Sequence, residues 1–452
     1  MRVEAIAPYW LWSGRPELPR FPGGAVHADI AVIGGGFAGL SAAYHVLARR
    51  PGARVVVLEA EQLGAGASGR TTGMLSPGVG QSLLALVGRL GPEGARKLYA
   101  QTLSAVSEVA ALIQRESIHC ELAMTGQLVV ARSAGGRRRL AAQAAMLRAL
   151  RLPGEPLDEA ALAKTIRLRP LPRSESKKAS AESGPAALRF PNAGILHPLK
   201  LVAGLASCVQ ARGGLIYEQA RVRKILKPGA AEPAVRLCLD AGEVTAGQVV
   251  IATAGYSPQL GILRGRLLPV QLQALVTEPL HSEALAAIGW AGREGVLDAR
   301  RLFSYFRLTA DRRIIFGGER PRYGWGGAAT DDASEQALAR LGDELARTFP
   351  EGARIAIAGG WSGVIGYVLD ALPTIAALPD CSRIVQAVGW CGHGVALATA
   401  SGAWVAHILC DGAAPQELPW FRATIPAVPT ELARWIGFRA SVEWMSLMDR
   451  WQ

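Results

Sequence analysis

Charge is scarce in this chain. Acidic and basic residues fill 19% of 452 positions and aromatic side chains 6%, beside 50% hydrophobic content. That balance excludes a disordered or fibrous protein and leaves apolar surface for two or three globular units. Cysteine is thin as well. Cys120, Cys208, Cys238, Cys381, Cys391 and Cys410 stand far apart with no C-x-x-C pair, which argues against a zinc cage, any other metal site of that kind or a disulfide framework, and for a reducing, cytoplasmic setting. Residues 1–19 carry acidic and proline interruptions and no apolar core, so no signal peptide is expected. Lysine is nearly missing: seven of the 49 basic residues. The basic residues are scattered and not interleaved with aromatics, so the net charge of +12 does not mark a nucleic-acid surface.

Glycine, by contrast, is abundant at 52 residues, with 27 prolines and no short period, which implies many tight turns rather than a collagen-like or low-complexity chain. Two apolar runs, 30–48 and 388–410, have the length of a membrane span. Both contain glycine clusters and histidine and are read as buried elements around a cofactor.

The run Ala28-Asp-Ile-Ala-Val-Ile33 predicts a buried strand and is followed at once by Gly34-Gly-Gly-Phe-Ala-Gly39. Leu40, Ala43, Tyr44 and Leu47 then fall on one helical face, and Arg54-Val-Val-Val-Leu-Glu59 reads as a second strand ending in an acid. Each glycine has a mechanical reason. Gly34 permits the tight turn, Gly36 lets backbone approach a pyrophosphate, and Gly39 lets the helix pack closely on the strand. The helix N-terminus presents free N–H groups to phosphates, and Glu59 is placed to accept from ribose hydroxyls. The pattern predicts dinucleotide binding.

Further along, the loop Leu63–Gly73 is too glycine-rich for an ordinary crossover helix, Gln248–Gly255 reads as another buried strand ending in small residues, and Val388–Gly402 reads as strand end, glycine turn and helix from about Gly394. With Gly66-Ala-Ser-Gly-Arg70, Ala252-Thr-Ala-Gly255, Trp361-Ser-Gly-Val364 before Leu372-Pro373, and Gly392-His-Gly394, the chain resembles the D-amino-acid oxidase superfamily of FAD-dependent oxidoreductases. It is most similar to the γ-glutamylputrescine oxidase-like branch, including Pro8-Tyr-Trp10 and the hairpin Tyr305–Gly317.

The resemblance implies an α/β (α+β overall) fold: a discontinuous Rossmann-like FAD-binding domain, 25–117, 190–260 and 357–413, with a second, mixed or antiparallel-sheet substrate domain, 118–189 and 261–356, and a tail at 414–452. Gly126–Ala131 and Arg313–Phe316 read as strands, Ser334–Phe349 as an amphipathic helix, and Pro170–Pro185 as a flexible loop. It further implies non-covalent FAD held by Gly34, Gly36, Phe37, Ala38, Gly39, Glu59, Ala60, Ala67, Ser68, Gly69, Arg70, Thr71, Thr72, Gly73, Val222, Thr253, Ala254, Gly255, Gly392, His393, Gly394, Val395 and Ala396.

The implied reaction moves hydride from an amine-bearing carbon to flavin N5, giving an imine that hydrolyses, with oxygen as acceptor; the cofactor carries the difficult step. The candidate residues on the substrate side are Tyr305, Arg307, Trp361, Tyr367 and His393, aromatic faces suiting an amine and Arg307 a distal carboxylate. Two departures matter. Ile365 stands where the glycine-oxidase branch carries a carboxylate-binding Arg, which points to an amine without an α-carboxylate. Ile315 and Gly363 stand where the sarcosine-oxidase branch has an oxygen-activating Lys and a flavin-linking Cys. The alternatives are a membrane-associated dehydrogenase passing electrons to quinone and a non-catalytic flavin subunit of a complex. From Thr430, a plausible N-cap, Trp444, Leu447, Met448 and Trp451 share one helical face, which either docks on the body or makes a peripheral contact with the inner membrane face or an oligomer partner.

Overall fold

A computed structural model describes residues 3–14, 16–171, 184–229, 233–290, 292–415 and 417–450. Most of the expected loop at 170–185, and Trp451, lie outside the described residues.

The β-branched runs form one sheet in the order Thr374–Leu378, Cys381–Val388, Gly242–Ile251, Gly24–Ile33, Val55–Leu58, Leu215–Tyr217. The last five strands are parallel to one another, and a hairpin turns the first against the second. A parallel sheet is covered on both faces, which is why Ile30, Ala31, Val32, Val249, Val250 and Ile251 are all sealed from solvent whichever way they point. On one face the helices Phe37–Arg49 and Gly394–Asp411 lie side by side. Their approach is possible because residue 402 has no side chain: a Cβ there would sit 2.2 Å from Ser41 Oγ, and that hydroxyl donates to Thr399 O. Both span-length apolar runs are thus core elements. The helix Gly394–Asp411 is long and apolar enough to cross a membrane, yet 67% of it is buried inside the molecule.

The second sheet runs Ile357–Val368, Leu267–Thr277, Ile314–Tyr323, Tyr305–Leu308, Gly295–Asp298, Gln127–Val130, Ala187–Phe190, Glu155–Leu157. It is antiparallel apart from the Gly295–Asp298/Gln127–Val130 pair. Its outer face packs Phe306, Phe316 and Leu275 against Leu341, Leu345 and Phe349, from the helix Glu335–Thr348 and the residue that follows it. Ser334 caps that helix through Ala337 N. The inner face sends Ala274, Val276, Ile315 and Trp361 into the core shared with the first sheet. The strand Ile357–Val368, assigned from sequence to the cofactor domain, pairs along its length with Leu267–Thr277 and belongs to this sheet. Its alternating burial fits either setting, so only the pairing decides.

The tail forms the helix Glu431–Arg450, with Thr430 Oγ1 capping Ala433 N at 3.2 Å. It lies on the substrate-side sheet, but not by the face expected. Trp444 is 56% exposed and Leu447 also faces solvent. Contact is made instead by Trp435, Phe438 and Val442, by Glu431 accepting from Gly326 N, and by Asp449 accepting from Arg301 N and Leu302 N.

Candidate cofactor and substrate site

The glycine fingerprint is a cradle that side chains would fill. Gly34 has φ +110 and a Cβ there would meet Ala252 O at 2.7 Å; at Gly39 it would meet Gly34 O at 1.9 Å. Gly36, the N-cap of the first helix, lies under Ser68, whose hydroxyl accepts from Phe37 N at 3.0 Å. A side-chain oxygen thus occupies the first free N–H, where a phosphate oxygen would bind. Ala38 and Gly39 continue this turn as buried residues. Glu59 ends the second strand with Oε2 accepting from Gly35 N at 2.8 Å and Oε1 from Glu61 N at 3.0 Å. Burial raises its carboxyl above the ordinary range despite these bonds. Ala60 lines a cleft with Glu61, Gln62, Gln219 and Arg221 beyond it, and Val222 is the buried first residue of the strand Val222–Leu226, just past Ala220, whose N–H donates to Glu59 O.

Small residues let the loop 64–73 fold onto itself: at Gly69 a Cβ would lie 2.1 Å from Gly64 O. Ala67–Gly69 forms a single 3-10 turn, Arg70 N and Thr71 N both bonding to Ala67 O. Arg70 is a strut. Its Nε donates to Ala65 O and Nη1 to Ser362 O, and Asp331 lies 3.5 Å away. Thr72 is buried, and at Gly73, with φ +77, a Cβ would lie 2.3 Å from Leu196 O. Thr253, Ala254 and Gly255 turn under the strand Ile357–Val368, Gly255 lying against Val364 and Ile365.

The second helix N-terminus opens after Gly392 at His393. Leu397 N bonds to His393 O, which leaves the N–H groups of Gly394, Val395 and Ala396 without a partner among the described residues. Burial lowers the His393 pKa, so its imidazole is neutral and the positive end here is the helix itself.

Cross-strand register sorts the substrate-side candidates. Tyr305 pairs with Gly317, Gly317 with Ala274 and Ala274 with Trp361, so all four point to the inner face; Arg307 and Ile315 form the next pair. Tyr305 lies over Gly317, makes no hydrogen bond through its hydroxyl among the described residues, and is pushed up to about 12 by burial. Trp361 is a strut rather than the wall of an open cage: 1% exposed, with Nε1 donating to Arg70 O at 2.9 Å. Tyr367 lies away from Tyr305, with Ile365, Trp435 and Phe438 at the tail.

Arg307 differs most from a surface strand charge. It is 0% exposed. Its Nη1 donates to Leu196 O and Gly73 O, and no carboxylate among the described residues pairs with it. Nε and Nη2 are buried with no partner among the described residues, and so are Nε and Nη2 of Arg293. Burial pushes Arg307 down to about 9, and the neighbouring charge of Arg293 acts in the same direction. An unpaired buried guanidinium is costly. Sequence reasoning missed Arg293, and it missed the roof over Arg307: the Trp10 ring centroid is 5.2 Å from the Arg307 Cζ. The motif Pro8-Tyr-Trp10 was visible, but nothing in it said what it covers.

Two sheets joined across a glycine cradle, with two helix N-termini facing the space between, define a dinucleotide-dependent oxidoreductase fold. Residues 29–408 match the family model described as DAO, FAD dependent oxidoreductase; the chain belongs to this family. It is 29% identical to "Probable oxidoreductase OrdL" of Rhizobium meliloti (strain 1021), over 98% of each chain. It is also 29% identical to "Gamma-glutamylputrescine oxidoreductase" of Escherichia coli (strain K12), over 85% of this chain and 84% of that one. Among solved structures, glycine oxidase from Geobacillus kaustophilus shares the fold with a TM-score of 0.70 at 21% identity, covering 88% of this chain and 99% of that one. The cradle, Glu59 and the free N–H groups at 394–396 fit FAD.

Proposed function

We propose that this flavoenzyme oxidises the CH–NH bond of an amine whose far end carries an anionic group, with oxygen as electron acceptor. The observation that carries this reading is Arg307: a buried guanidinium with two unpartnered nitrogens, on the sheet face it shares with Tyr305. A carboxylate placed there would satisfy donors that the protein leaves free. The E. coli relative is named for γ-glutamylputrescine, an amine with a carboxylate on its glutamyl end.

FAD, when bound, supplies the two-electron acceptor for the amine-bearing carbon. The chain's part is to hold and orient. The turn 34–39 and Ser68 would hold its diphosphate, Glu59 its ribose, and the N–H groups of Gly394, Val395 and Ala396 would offer positive charge to its reduced form. Arg307 and Arg293 fix the anionic end, so the amine end is set toward Tyr305. No side chain need take a proton if the amine arrives neutral, because loss of hydride with its own lone pair engaged gives the iminium, which water then hydrolyses.

Screening amines anaerobically for bleaching of the visible flavin band tests the reaction. Bleaching by amines bearing a remote carboxylate, and not by their esters, is expected; equal bleaching by both overturns the anionic subsite. Oxygen uptake with equal peroxide supports the oxidase. A flavin that stays reduced in air assigns the enzyme instead to electron transfer toward quinone, the reading favoured by the buried Ile315.

A further inference from the structure

The N-terminal turn Tyr9–Ser13 lies outside the residues that match the family model, yet it reaches the centre of the site. Trp10 is 1% exposed. Its Nε1 donates to Thr71 O at 2.7 Å, in the glycine loop, while its ring face lies over Arg307. The indole therefore touches the cofactor loop with its edge and the buried guanidinium with its face. Around it the turn is tied down at several points. The His197 ring meets Trp10 edge-on at 4.8 Å. Lys200 N donates to His197 Nδ1, so the ring proton sits on Nε2 and is donated to Ser13 Oγ, whose own hydrogen goes to Trp10 O. Tyr9 OH donates to Asp311 Oδ1 at 2.7 Å.

Arg307 has one edge committed, Nη1 on the carbonyls of Gly73 and Leu196. A guanidinium on a flexible stem keeps its other edge free and in one orientation only if its plane is also held. Trp10 lies against that group, and a cation over an indole in a water-poor setting is held more strongly than one at the surface. We propose that Trp10 is a positioning residue for the anionic subsite: it holds Arg307 with Nε and Nη2 presented to a substrate carboxylate and, through Thr71, fixes that subsite relative to the cofactor loop. The inference rests on the reading of Arg307 as the anion-binding residue.

The two contacts of Trp10 can be separated. Phenylalanine keeps a ring face and loses the N–H; methionine, of comparable reach, loses both. The probe is carboxylate binding to the FAD-loaded enzyme, read as a shift of the flavin spectrum with acetate, butyrate and glutarate, and with glutaramide as the uncharged control. Trp10→Met is expected to weaken glutarate about tenfold and leave glutaramide unchanged. Trp10→Phe is expected to restore glutarate affinity to within about threefold while FAD dissociates several-fold faster, from loss of the bond to Thr71. Arg307→Leu runs in parallel. If it leaves carboxylate affinity unchanged, or the wild type binds none of the carboxylates, the reading of Arg307 fails and the inference with it. Loss of affinity in Arg307→Leu with none in Trp10→Met overturns the role of Trp10 alone. So does an equal loss for glutarate and glutaramide, which marks a general packing role. If Trp10→Met does not yield folded protein, the Trp10→Phe result decides: weakened glutarate with unchanged FAD release contradicts the proposal.

Discussion

Gly39→Ala tests the cofactor cradle most directly. A Cβ at this position would stand 1.9 Å from Gly34 O and 3.1 Å from Val32 Cγ1, where ordinary contact begins at 3.4 Å. Both neighbours are fixed: Gly34 O is backbone in the turn that faces the cofactor, and Val32 lies in the central strand. Relief requires the helix Phe37–Arg49 to withdraw by roughly 3.4 − 1.9 = 1.5 Å, but its far side is wedged against Gly394–Asp411 through Ser41 and Gly402. The movement therefore falls on the turn. N–H groups there donate to a charged diphosphate, each worth about 1.5–3 kcal/mol, so mispointing two of them weakens FAD by roughly 10²- to 10⁴-fold. Gly52→Ala is the control. Gly52 also has positive φ, +84, but its Cβ would meet nothing within 4 Å, so it carries only about 1 kcal/mol of backbone strain. The assay is the ratio of visible flavin absorbance to protein after gel filtration, followed by FAD titration of the apoprotein. Gly39→Ala is expected to elute without flavin and Gly52→Ala with a full complement. A Gly39→Ala protein that keeps its flavin, with Kd within about threefold of wild type, refutes the reasoning.

Other outcomes follow from the same geometry. Protonation of Glu59 removes an acceptor from the ribose end; because burial raises its pKa, FAD release on acidification should begin at higher pH than an exposed glutamate would set, and Glu59→Gln should lose that dependence while binding FAD more weakly throughout. Measured flavin release parallel in the two proteins contradicts this. His197 is pushed down to about 4, below its unfolded value, so folding stability is intact above pH 6.5 and falls as pH drops from 6.5 through about 4, by about 3 kcal/mol at most. His197→Asn, which can still accept from Lys200 N, should flatten part of that slope in a melting series. Arg307→Leu should raise KM for a carboxylate-bearing amine by roughly 30- to 1000-fold, from about 2–4 kcal/mol for a buried charged pair, with a melting temperature no lower than wild type because an unpaired buried charge is removed. Removing residues 430–452 exposes Tyr323 and takes Glu443 away from Arg320, so the melting temperature should fall while the flavin complement persists.

The cofactor half of this protein was legible because its determinants are local. Strand, turn, helix, strand and the carboxylate occupy residues 24–59 in one run, with Gly39 answering a clash with Gly34 O in the same turn and Gly34 one with Ala252 O just past the adjoining strand. The resemblance likewise placed the hairpin Tyr305–Gly317, and a period of two along its strands marks which residues share a face. It could not say what lies above that face. The strand Ile357–Val368 went to the other sheet, and Trp361 became a strut, through partners distant in sequence. Ser68 reaches Phe37 N across 31 residues, Trp10 reaches Thr71 across 61, and Arg307 holds Leu196 across 111. Sequence by itself determined the family, the dinucleotide cradle and the residue types available for chemistry. Only the tertiary structure decided that Arg307 is buried beneath Trp10 with no carboxylate paired to it among the described residues, because burial and the loss of water depend on which distant segments close over a residue, and no spacing within the strand records that.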